Sequence, residues 1–346
     1  MKILHILSSQ IFSGAENVVC QIIGMFKNDD DIEMAYCSPE GGIRVALEQR
    51  GIQYLPIEKM STDELKRVIE AYSPDIIHAH DMRAGFFAAR ACKNIPLISH
   101  IHNNAFDSRG LSLKSIAYLY AAKKAKNIIW VSDSAYNGYK FHEHFKDKSV
   151  ILYNVLDVDE MRKRMEADKK SYDFDIIFIG RMTFPKHIQR LLAILRIACD
   201  KKPDIKIGIV GNGEEEQEVK ALCTSLKLDD NVSFMGFQSN PSKMLHDSKI
   251  MVMTSRWEGT PMVALEAIAL GVPIVSTPTD GLKVLVKNGV NGFLSDDNEE
   301  YADILIKVLT DDDLRDKLRQ GQLARSREVN DVEKYKATLR SLYTKK

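Results

Sequence analysis

Two acidic side chains flank a turn and helix start in the segment EGTPMVALE, which begins at Glu258 and ends at Glu266. The turn predicts a helix over 261–270, with Thr260 as N-cap and Pro261 at the first helical position. The first turn of this helix has no acidic residue, so its free N–H groups are expected to bind an anion. Because carboxylates accept hydrogen bonds from sugar hydroxyls, a diphosphate with a sugar on each side fits this pattern. The alternative is that Glu266 faces solvent and Glu258 lies in a surface turn.

Basic residues follow an earlier apolar run, in the segment GRMTFPKH over 180–187. Arg181 and Lys186 can converge on a phosphate if this turn folds back; otherwise they are ordinary surface cations. Gly211, in the turn GNG, and Gly14, in SGAE, can each let the backbone approach a ligand closely. Neither turn is part of a GxGxxG fingerprint, which argues against a nicotinamide-dependent oxidoreductase.

Four histidines form two His-x-His pairs, DIIHAH and ISHIH, each near the end of an apolar run. Residues two apart on a strand share a face, so zinc is conceivable. No third ligand at suitable spacing accompanies either pair, and we predict no metal site. His102, nearest the strand end, could instead donate a hydrogen bond to a substrate, whereas His78 and His100 are expected to be buried core residues.

The elements that must position these side chains are short apolar runs alternating with helical patterns along all 346 residues. Continuous apolar runs of this kind indicate parallel strands buried on both faces. A single core stops growing at about 250–300 residues, so two domains are expected. The predicted fold is α/β, with two Rossmann-like doubly wound domains facing a cleft. We predict an N-terminal domain over 1–165, a C-terminal domain over 166–325, and a helix over 326–346 as a candidate to pack back on the N-terminal domain.

Composition excludes several other classes. The formal net charge is +0 and the pI is about 7.1, which argues against a nucleic-acid partner. The five cysteines are scattered and are expected to be buried thiols. No run approaches the roughly 20 apolar residues of a membrane span, and the first residues read as a strand rather than a signal peptide.

The combined motifs resemble retaining glycosyltransferases of family four. The E-x7-E of Glu258 and Glu266, the GR…K of Arg181 and Lys186, and the segments GNG, SFMGF, SGAE and NGFL stand in that family's order and spacing. The resemblance implies the GT-B fold. It also implies that Arg181 and Lys186 neutralise the departing pyrophosphate, that Glu266 holds the ribose, and that Glu258 holds the transferred sugar.

The resemblance extends to further residues of the same site. Gly14 would close over the phosphate, His102 would lie beside the sugar and acceptor, and the backbone near Phe237 would face the base. The residues expected to bind substrate are Gly14, Gly211, Phe237, Glu258, Gly259, Thr260, Pro261, Met262, Val263 and Glu266. The residues expected in catalysis are His102, Arg181, Lys186 and Glu258.

Three positions depart from the family pattern. Ser13-Gly14 replaces the usual Gly-Gly, His187 stands where a glycine commonly follows the lysine, and Lys283-Val284 replaces a common Pro-Glu. The last change removes an acidic group near the expected donor pocket, which leaves the donor sugar open.

The expected activity is retaining transfer from a nucleotide diphosphate sugar, UDP-sugar favoured, to a glycan or lipid-linked glycan during capsule or exopolysaccharide synthesis. Two cations and a helix N-terminus can stabilise the leaving diphosphate, so neither a metal nor another cofactor is expected. The alternatives are a non-catalytic nucleotide-sugar binding protein and a GT-B epimerase.

The segment 111–126, LSLKSIAYLYAAKKAK, mixes apolar residues with four lysines. Such a basic amphipathic helix can lie on an anionic membrane, although an ordinary surface helix is the alternative. The expected location is cytoplasmic, with peripheral contact at the inner face of the cell membrane.

Overall fold

The structure is a computed structural model and describes residues 1–102 and 110–344. The chain divides into two compact units: Met1–Asn154 with Val332–Lys346 form the first, and Val155–Asp331 the second. Each unit contains one parallel sheet with helices around it.

The N-terminal unit has seven strands in the order β3-β2-β1-β4-β5-β6-β7. Its strands are β1 (Lys2–Leu7), β2 (Glu33–Pro39), β3 (Tyr54–Ile57), β4 (Ile76–His80), β5 (Leu97–Ile101), β6 (Asn127–Trp130) and β7 (Ser149–Ile151). Its helices are α1 (Gly14–Met25), α2 (Ile43–Glu48), α3 (Thr62–Tyr72), α4 (Met82–Ala91), α5 (Leu113–Lys124), α6 (Asp133–Gly138), a 3₁₀ helix (His142–Lys148) and the last helix of the chain, α15 (Val332–Thr344).

The C-terminal unit has six strands in the order β10-β9-β8-β11-β12-β13. Its strands are β8 (Ile176–Ile179), β9 (Ile207–Val210), β10 (Val232–Gly236), β11 (Ile250–Met253), β12 (Ile274–Ser276) and β13 (Gly292–Leu294). Its helices are α7 (Val158–Ala167), a 3₁₀ helix (Phe184–Lys186), α8 (Ile188–Lys201), α9 (Glu216–Ser225), α10 (Ser242–His246), α11 (Met262–Leu270), α12 (Asp280–Leu285), α13 (Asn298–Thr310) and α14 (Asp312–Val329).

The strands lie where the apolar runs predict them, and they pair in parallel throughout both sheets. The side chains of the central strands β4, β5, β9, β11 and β12 are buried on both faces, as continuous apolar runs require when helices cover a sheet from both sides. Both units are therefore Rossmann-like. In each, the strand order reverses once, between β1 and β4 and between β8 and β11. Loops diverge at such a reversal, which is where folds of this kind bind ligands.

The boundary between the units differs from the predicted one. It falls at Asn154/Val155 rather than at 165, because α7 belongs to the C-terminal unit. Met161 of α7 is buried, and the Asn240 side-chain amide donates to the Arg164 carbonyl at 2.8 Å. Because most residues of α7 are charged, the sequence alone does not indicate that Met161 packs in the C-terminal unit. Its N-terminal Asp157 caps the helix by accepting from the Glu160 amide.

The last helix belongs to the N-terminal unit and begins at Val332, later than the predicted 326. Residues 326–329 instead continue α14 within the C-terminal unit, and residues 345–346 lie outside the described part of the chain. Asp29 accepts from Lys336 at 2.7 Å and from Arg340 at 2.8 Å. The chain therefore returns to its first unit after completing the second.

The five cysteines are buried free thiols. Among the described residues, none of the helices combines the length and the apolar character needed to cross a bilayer.

Candidate functional site

The C-terminal unit brings the loops that follow β8 and β11 together at the reversal of its strand order. The Thr254 hydroxyl, just after β11, donates to the carbonyls of Lys186 and His187 at 3.2 and 3.0 Å. The Arg256 amide donates to the Pro185 carbonyl at 2.8 Å. The turn after β8 therefore folds back toward β11. The prediction that Arg181 and Lys186 converge on a phosphate required such a turn.

His187 has an unusual backbone conformation between this turn and α8. Its φ is 53°, in the left-handed region that favours glycine. The family pattern of a glycine at this position therefore has a local backbone reason. The chain retains the conformation with a histidine, whose side chain is only partly buried.

Lys186 and Glu258 meet directly. The Lys186 ammonium donates to the Glu258 carboxylate at 2.6 Å, and the Ser255 hydroxyl donates to the same oxygen at 2.6 Å. Both members of the ion pair are largely buried. The cation expected at the diphosphate and the carboxylate expected at the sugar are therefore direct neighbours in the structure.

Helix α11 begins at Met262, one residue later than predicted. Pro261 occupies the N-cap position, with an extended ψ of 121°, and Thr260 precedes the helix rather than capping it. The first turn contains no acidic residue, and no side chain of the N-cap residue binds its amides. Gly259, Thr260, Pro261 and Met262 are buried and Val263 is partly exposed, so the backbone at this helix start is held rigidly. Gly271 ends the helix with φ 75°, as the sequence predicts.

Glu266 is partly buried within α11 rather than facing solvent. Burial raises the pKa of its carboxyl group to about 7, and the nearby Arg164 guanidinium opposes this shift. Burial of this carboxyl group disfavours its ionised form, and hydrogen bonds from a ligand would offset that unfavourable free energy.

Three glycines allow backbone segments around this site to touch. A Cβ on Gly211 would lie 2.0 Å from the Gly180 carbonyl oxygen, and one on Gly213 would lie 2.2 Å from that of Met182. A Cβ on Gly281, in α12, would lie 1.5 Å from the Gly259 oxygen. No other residue fits at these positions without a backbone shift, so the loops after β8, β9, β11 and β12 form one packed edge.

Other predicted residues of this unit lie on exposed parts of the same edge. Arg181 is exposed in the turn after β8, and Phe237 is 48% exposed after β10. The Gly211 amide donates to the Gly236 carbonyl at 2.8 Å, which links the loops after β9 and β10. Lys283 is exposed on α12, near the Gly259 backbone that Gly281 contacts. In the Pro-Glu pattern that the family resemblance implies, Lys283 stands at the proline and Val284 at the glutamate, so this chain has no carboxylate there.

Gly14 is the first residue of α1 in the N-terminal unit and is exposed. The Glu16 carboxylate accepts from the Ser13 amide at 3.1 Å and from its hydroxyl at 2.5 Å. This capping arrangement places a negative charge at the start of α1. The sequence signal for this capping box is the spacing Ser-x-x-Glu in SGAE.

Five histidines form one cluster on the N-terminal sheet. His5 on β1 is in register with His78 on β4, and His80 is in register with His100 on β5. Neighbouring ring centroids lie between 4.1 Å (His78 and His80) and 5.4 Å (His78 and His100). Burial lowers the pKa of His5 and of His102 to about 3, so the rings are neutral near neutral pH.

The histidine cluster corrects the argument that each His-x-His pair lacks a third ligand. Two groups, His5–His78–His80 and His80–His100–His102, each have ring nitrogens within 4.8 Å of one another. The third members come from different strands and could not be found by sequence spacing. His5, in the run KILHILSS, was missed because it stands alone; the signal was three histidine-bearing runs assigned to neighbouring strands.

Comparisons with known proteins identify glycosyltransferases as relatives of this chain. Residues 159–324 match the model "Glycosyl transferases group 1", and residues 13–160 match "Glycosyltransferase Family 4". The chain is 29% identical to an uncharacterised glycosyltransferase of Methanocaldococcus jannaschii, over 79% of this chain and 80% of that one. It is 24% identical to the UDP-Gal:alpha-D-GlcNAc-diphosphoundecaprenol alpha-1,3-galactosyltransferase of Escherichia coli, over 90% and 88% of the two chains.

The fold is also that of solved glycosyltransferases. Anabaena HepE, in a crystal structure with UDP and glucose, superimposes with a TM-score of 0.85 at 22% identity and full coverage of both chains. The pneumococcal O-GlcNAc transferase GtfA, in complex with UDP and GlcNAc, gives 0.78 at 12% identity, over 99% and 98% of the chains. The two family models together span nearly the whole chain, and the chain belongs to the family-four glycosyltransferases, with the GT-B fold.

Proposed function

We propose that this glycosyltransferase moves a sugar from a nucleotide diphosphate sugar, preferably a UDP-sugar, to a glycan or lipid-linked glycan with retention of anomeric configuration. The observation that carries the proposal is the contact of Lys186 with Glu258, four residues before the start of α11, whose first turn has no acidic residue, where the strand order reverses. This edge combines a cation, helix amides and a carboxylate, the groups that a sugar diphosphate requires.

The leaving diphosphate is the centre of the proposed chemistry. Cleavage of the sugar–phosphate bond builds negative charge on the diphosphate, which Lys186, Arg181 and the amides of residues 260–263 would stabilise. One such preorganised donor contributes about 3 kcal/mol to lowering a barrier. With these groups in place, we propose that transfer needs no metal at the diphosphate and no other cofactor.

The carboxylates select the two sugars of the donor. We propose that Glu266 accepts hydrogen bonds from the ribose hydroxyls and Glu258 from the transferred sugar. A bound donor would compete with Glu258 for the Lys186 ammonium, because the diphosphate carries more charge than one carboxylate. Gly211 and Phe237 would lie on the side of the base.

The N-terminal unit supplies the remaining proposed groups. Gly14 would present a backbone amide to the phosphate, and His102 would donate a hydrogen bond to the transferred sugar or the acceptor. For retention, we propose that the departing phosphate oxygen takes the proton of the acceptor hydroxyl on the face from which it leaves. No protein nucleophile is assigned.

UDP and a lipid-linked acceptor are favoured by what the relatives bind and transfer. HepE was solved with UDP and glucose, and the Escherichia coli relative transfers galactose from UDP-Gal to a diphosphoundecaprenol-linked sugar. These relatives support a role in capsule or other surface polysaccharide synthesis for this chain. The same role implies a cytoplasmic location at the inner face of the membrane.

Helix α5 offers a surface for that membrane. Leu113, Ile116 and Tyr120, spaced to share one helix face, are 90%, 49% and 48% exposed, and Leu111 just before the helix is 71% exposed. Lys123 and Lys124 lie in its last turn. The opposite side packs on α4 through Tyr118 and Ala121, which contact the space beside Gly85. We propose that the exposed face inserts shallowly into an anionic bilayer.

Flotation with vesicles containing anionic lipid tests this contact. Wild-type protein should float at low salt and be released as salt is raised, because part of the attraction is electrostatic. Leu113→Ser with Ile116→Ser should reduce flotation, whereas Ile151→Ser, a change at another exposed apolar residue, should not. Equal flotation of the two variants would refute the assignment to α5.

The donor is tested by thermal shift with UDP-, GDP- and ADP-sugars, followed by product analysis. Stabilisation by one nucleotide class and transfer to an acceptor with an unchanged anomeric centre would support the proposal. Stabilisation without turnover for any acceptor would favour a non-catalytic binding protein, and isomerisation of the donor sugar would favour an epimerase.

A further inference from the structure

The histidine cluster of the N-terminal unit has more buried polar atoms than its hydrogen bonds satisfy. His5 Nδ1 lies 2.9 Å from His80 Nε2, and His80 Nδ1 lies 2.9 Å from His102 Nε2. Both nitrogens of His100 lack a hydrogen-bond partner within the described chain, as do His78 Nε2 and His102 Nδ1. Each unmet buried polar atom costs about 1–3 kcal/mol, so an arrangement with four of them calls for an explanation.

We propose that His80, His100 and His102 bind a divalent transition metal ion of the Zn²⁺ class. The three residues come from the ends of neighbouring strands, and one ring nitrogen of each lies within 4.8 Å of the others. Nitrogens bound to one tetrahedral metal at about 2.0–2.1 Å are roughly 3.3 Å apart. The 2.9 Å contact of His80 with His102 is close to that separation, and the chosen nitrogen of His100 lies within 4.8 Å of both.

The ligand set determines the kind of metal. It consists of neutral imidazoles, which suit zinc, copper, nickel and cobalt, and it lacks the oxygen ligands that magnesium and calcium require. The nearest carboxylate along the chain, Asp81, is already engaged by the Ser8 hydroxyl at 2.7 Å and the Ala84 amide at 2.7 Å. Three protein ligands leave a fourth position open for water.

Two features beyond the ligands fit a metal site. His5 contacts the second nitrogen of His80, which is the arrangement that orients metal-binding histidines. His102 is partly exposed, whereas His80 and His100 are fully buried, so His102 is the ligand nearest the surface of the described chain. A bound ion would also give a partner to His100, whose ring has none in the described structure.

The site is distinct from the diphosphate edge of the C-terminal unit, and metal binding there does not depend on transferase activity. One consequence does rest on the proposed function. His102 is the residue proposed to donate a hydrogen bond to the sugar or acceptor, and binding to the metal would turn its ring toward His80 and His100 and fix it there. We therefore expect metal-free protein to be fully active and micromolar Zn²⁺ to inhibit it.

The decisive measurement is binding of Co²⁺ to metal-stripped full-length protein, followed by visible absorption. Wild type should show the strong d–d bands of a four-coordinate ion, at one equivalent, and Zn²⁺ should displace it. His100→Phe keeps a planar aromatic ring, somewhat larger than imidazole, and removes two unpartnered nitrogens; circular dichroism checks that the variant is folded before metal is added. It should bind Co²⁺ more than tenfold more weakly.

His144→Ala is the matched control, because His144 is exposed and lies outside the cluster. It should bind Co²⁺ as wild type does. Failure of wild type to bind, or equal affinity in His100→Phe, would overturn the proposed site. Because absorption reports binding directly, these outcomes stand even if the protein transfers no sugar in any assay. Zn²⁺ inhibition that persists in His100→Phe would overturn the link to activity.

Discussion

Lys186 has two anionic partners in this account: Glu258 in the structure and the diphosphate that we propose as ligand. The contact of 2.6 Å with Glu258 holds the ammonium beside the carboxylate that we propose binds the transferred sugar. An ammonium held this way is preorganised, since it needs little movement to meet charge that develops on a leaving phosphate.

Replacement of Lys186 by alanine should lower kcat by about 10²–10³-fold, because one preorganised donor at the leaving group is lost. Initial rates at saturating nucleotide sugar measure this change. The control is Lys243→Ala. Lys243 forms an ion pair with Asp247, and the side chains of this pair are 24% and 12% exposed. The corresponding values for Lys186 and Glu258 are 21% and 11%, so the two lysines are matched in burial. Equal loss of kcat in both variants would mean that Lys186 acts only through stability.

Glu266 should make donor affinity depend on pH. Its pKa is raised to about 7 by burial, and the ionised form accepts hydroxyl hydrogen bonds more strongly. Affinity for the nucleotide sugar should therefore rise as pH increases through about 7, measured by calorimetry between pH 6 and pH 8. In Glu266→Gln the affinity should be lower at pH 8 and should vary less across this range. Parallel profiles in the two proteins would exclude Glu266 from the donor site.

Protein stability gives an independent check with the opposite sign. The folded-state pKa of Glu266 lies above the usual value of 4.5, so ionisation destabilises the folded protein. The loss grows between pH 4.5 and about 7 and then stays constant. Glu266→Gln should therefore have the same free energy of unfolding as wild type below pH 4.5 and a higher one at pH 8. The difference should reach up to about 3 kcal/mol, because each unit of pKa shift corresponds to about 1.4 kcal/mol.

Residue types and order were sufficient to select Lys186, Glu258 and Glu266 from the sequence. Their mutual contact was not predictable, because it depends on how the turn after β8 folds back against Arg256 and Thr254. His5 shows the same limit. Its part in the histidine cluster depends on strand register across β1, β4 and β5, which local spacing does not encode.

At the scale of elements, the packed edge depends on glycines rather than on side-chain contacts. The start of α12 touches the loop before α11 because Gly281 has no Cβ. The residues around Gly281 in the sequence do not predict that its backbone lies against that of Gly259. The thirteen strands, by contrast, follow directly from continuous apolar runs bounded by turns.

Gly281→Ala should destabilise the C-terminal unit and weaken donor binding together. The added Cβ would lie 1.5 Å from the Gly259 oxygen, so the backbone before α11 must move. Overpacking of this kind costs about 1–3 kcal/mol, measurable by chemical denaturation. Gly24→Ala is the matched control, because a Cβ there meets nothing within 4 Å and lies inside α1. Gly24→Ala should be neutral or stabilising; destabilisation limited to that variant would contradict the packing account.

At the scale of the molecule, the boundary and the last helix follow from burial rather than from charge. The highly charged α7 reads as a linker, yet Met161 fixes it to the C-terminal unit. Similarly, α15 has charged residues over most of its surface. Its inner side buries Tyr335, Leu339 and Tyr343, and the Tyr343 hydroxyl lies 2.9 Å from His78 Nδ1. Which unit receives a terminal helix is a long-range property that local patterns do not contain.

Removal of residues 332–346 should therefore destabilise the N-terminal unit selectively. The truncation exposes apolar surface that α15 covers and removes both cationic partners of Asp29, Lys336 and Arg340. Burial of each large apolar side chain contributes about 1.5–3 kcal/mol, so the loss should amount to several kcal/mol. Scanning calorimetry should show that the N-terminal unit unfolds at a lower temperature than the C-terminal unit. UDP should still raise the unfolding temperature of the C-terminal unit, because the proposed donor groups Lys186, Glu258 and Glu266 all lie in Val155–Asp331. An equal fall in the temperatures of both transitions would contradict the assignment of α15 to the first unit. If UDP raises the transition temperature of wild type but of neither transition in the truncated protein, the assignment of the donor groups to the second unit is wrong.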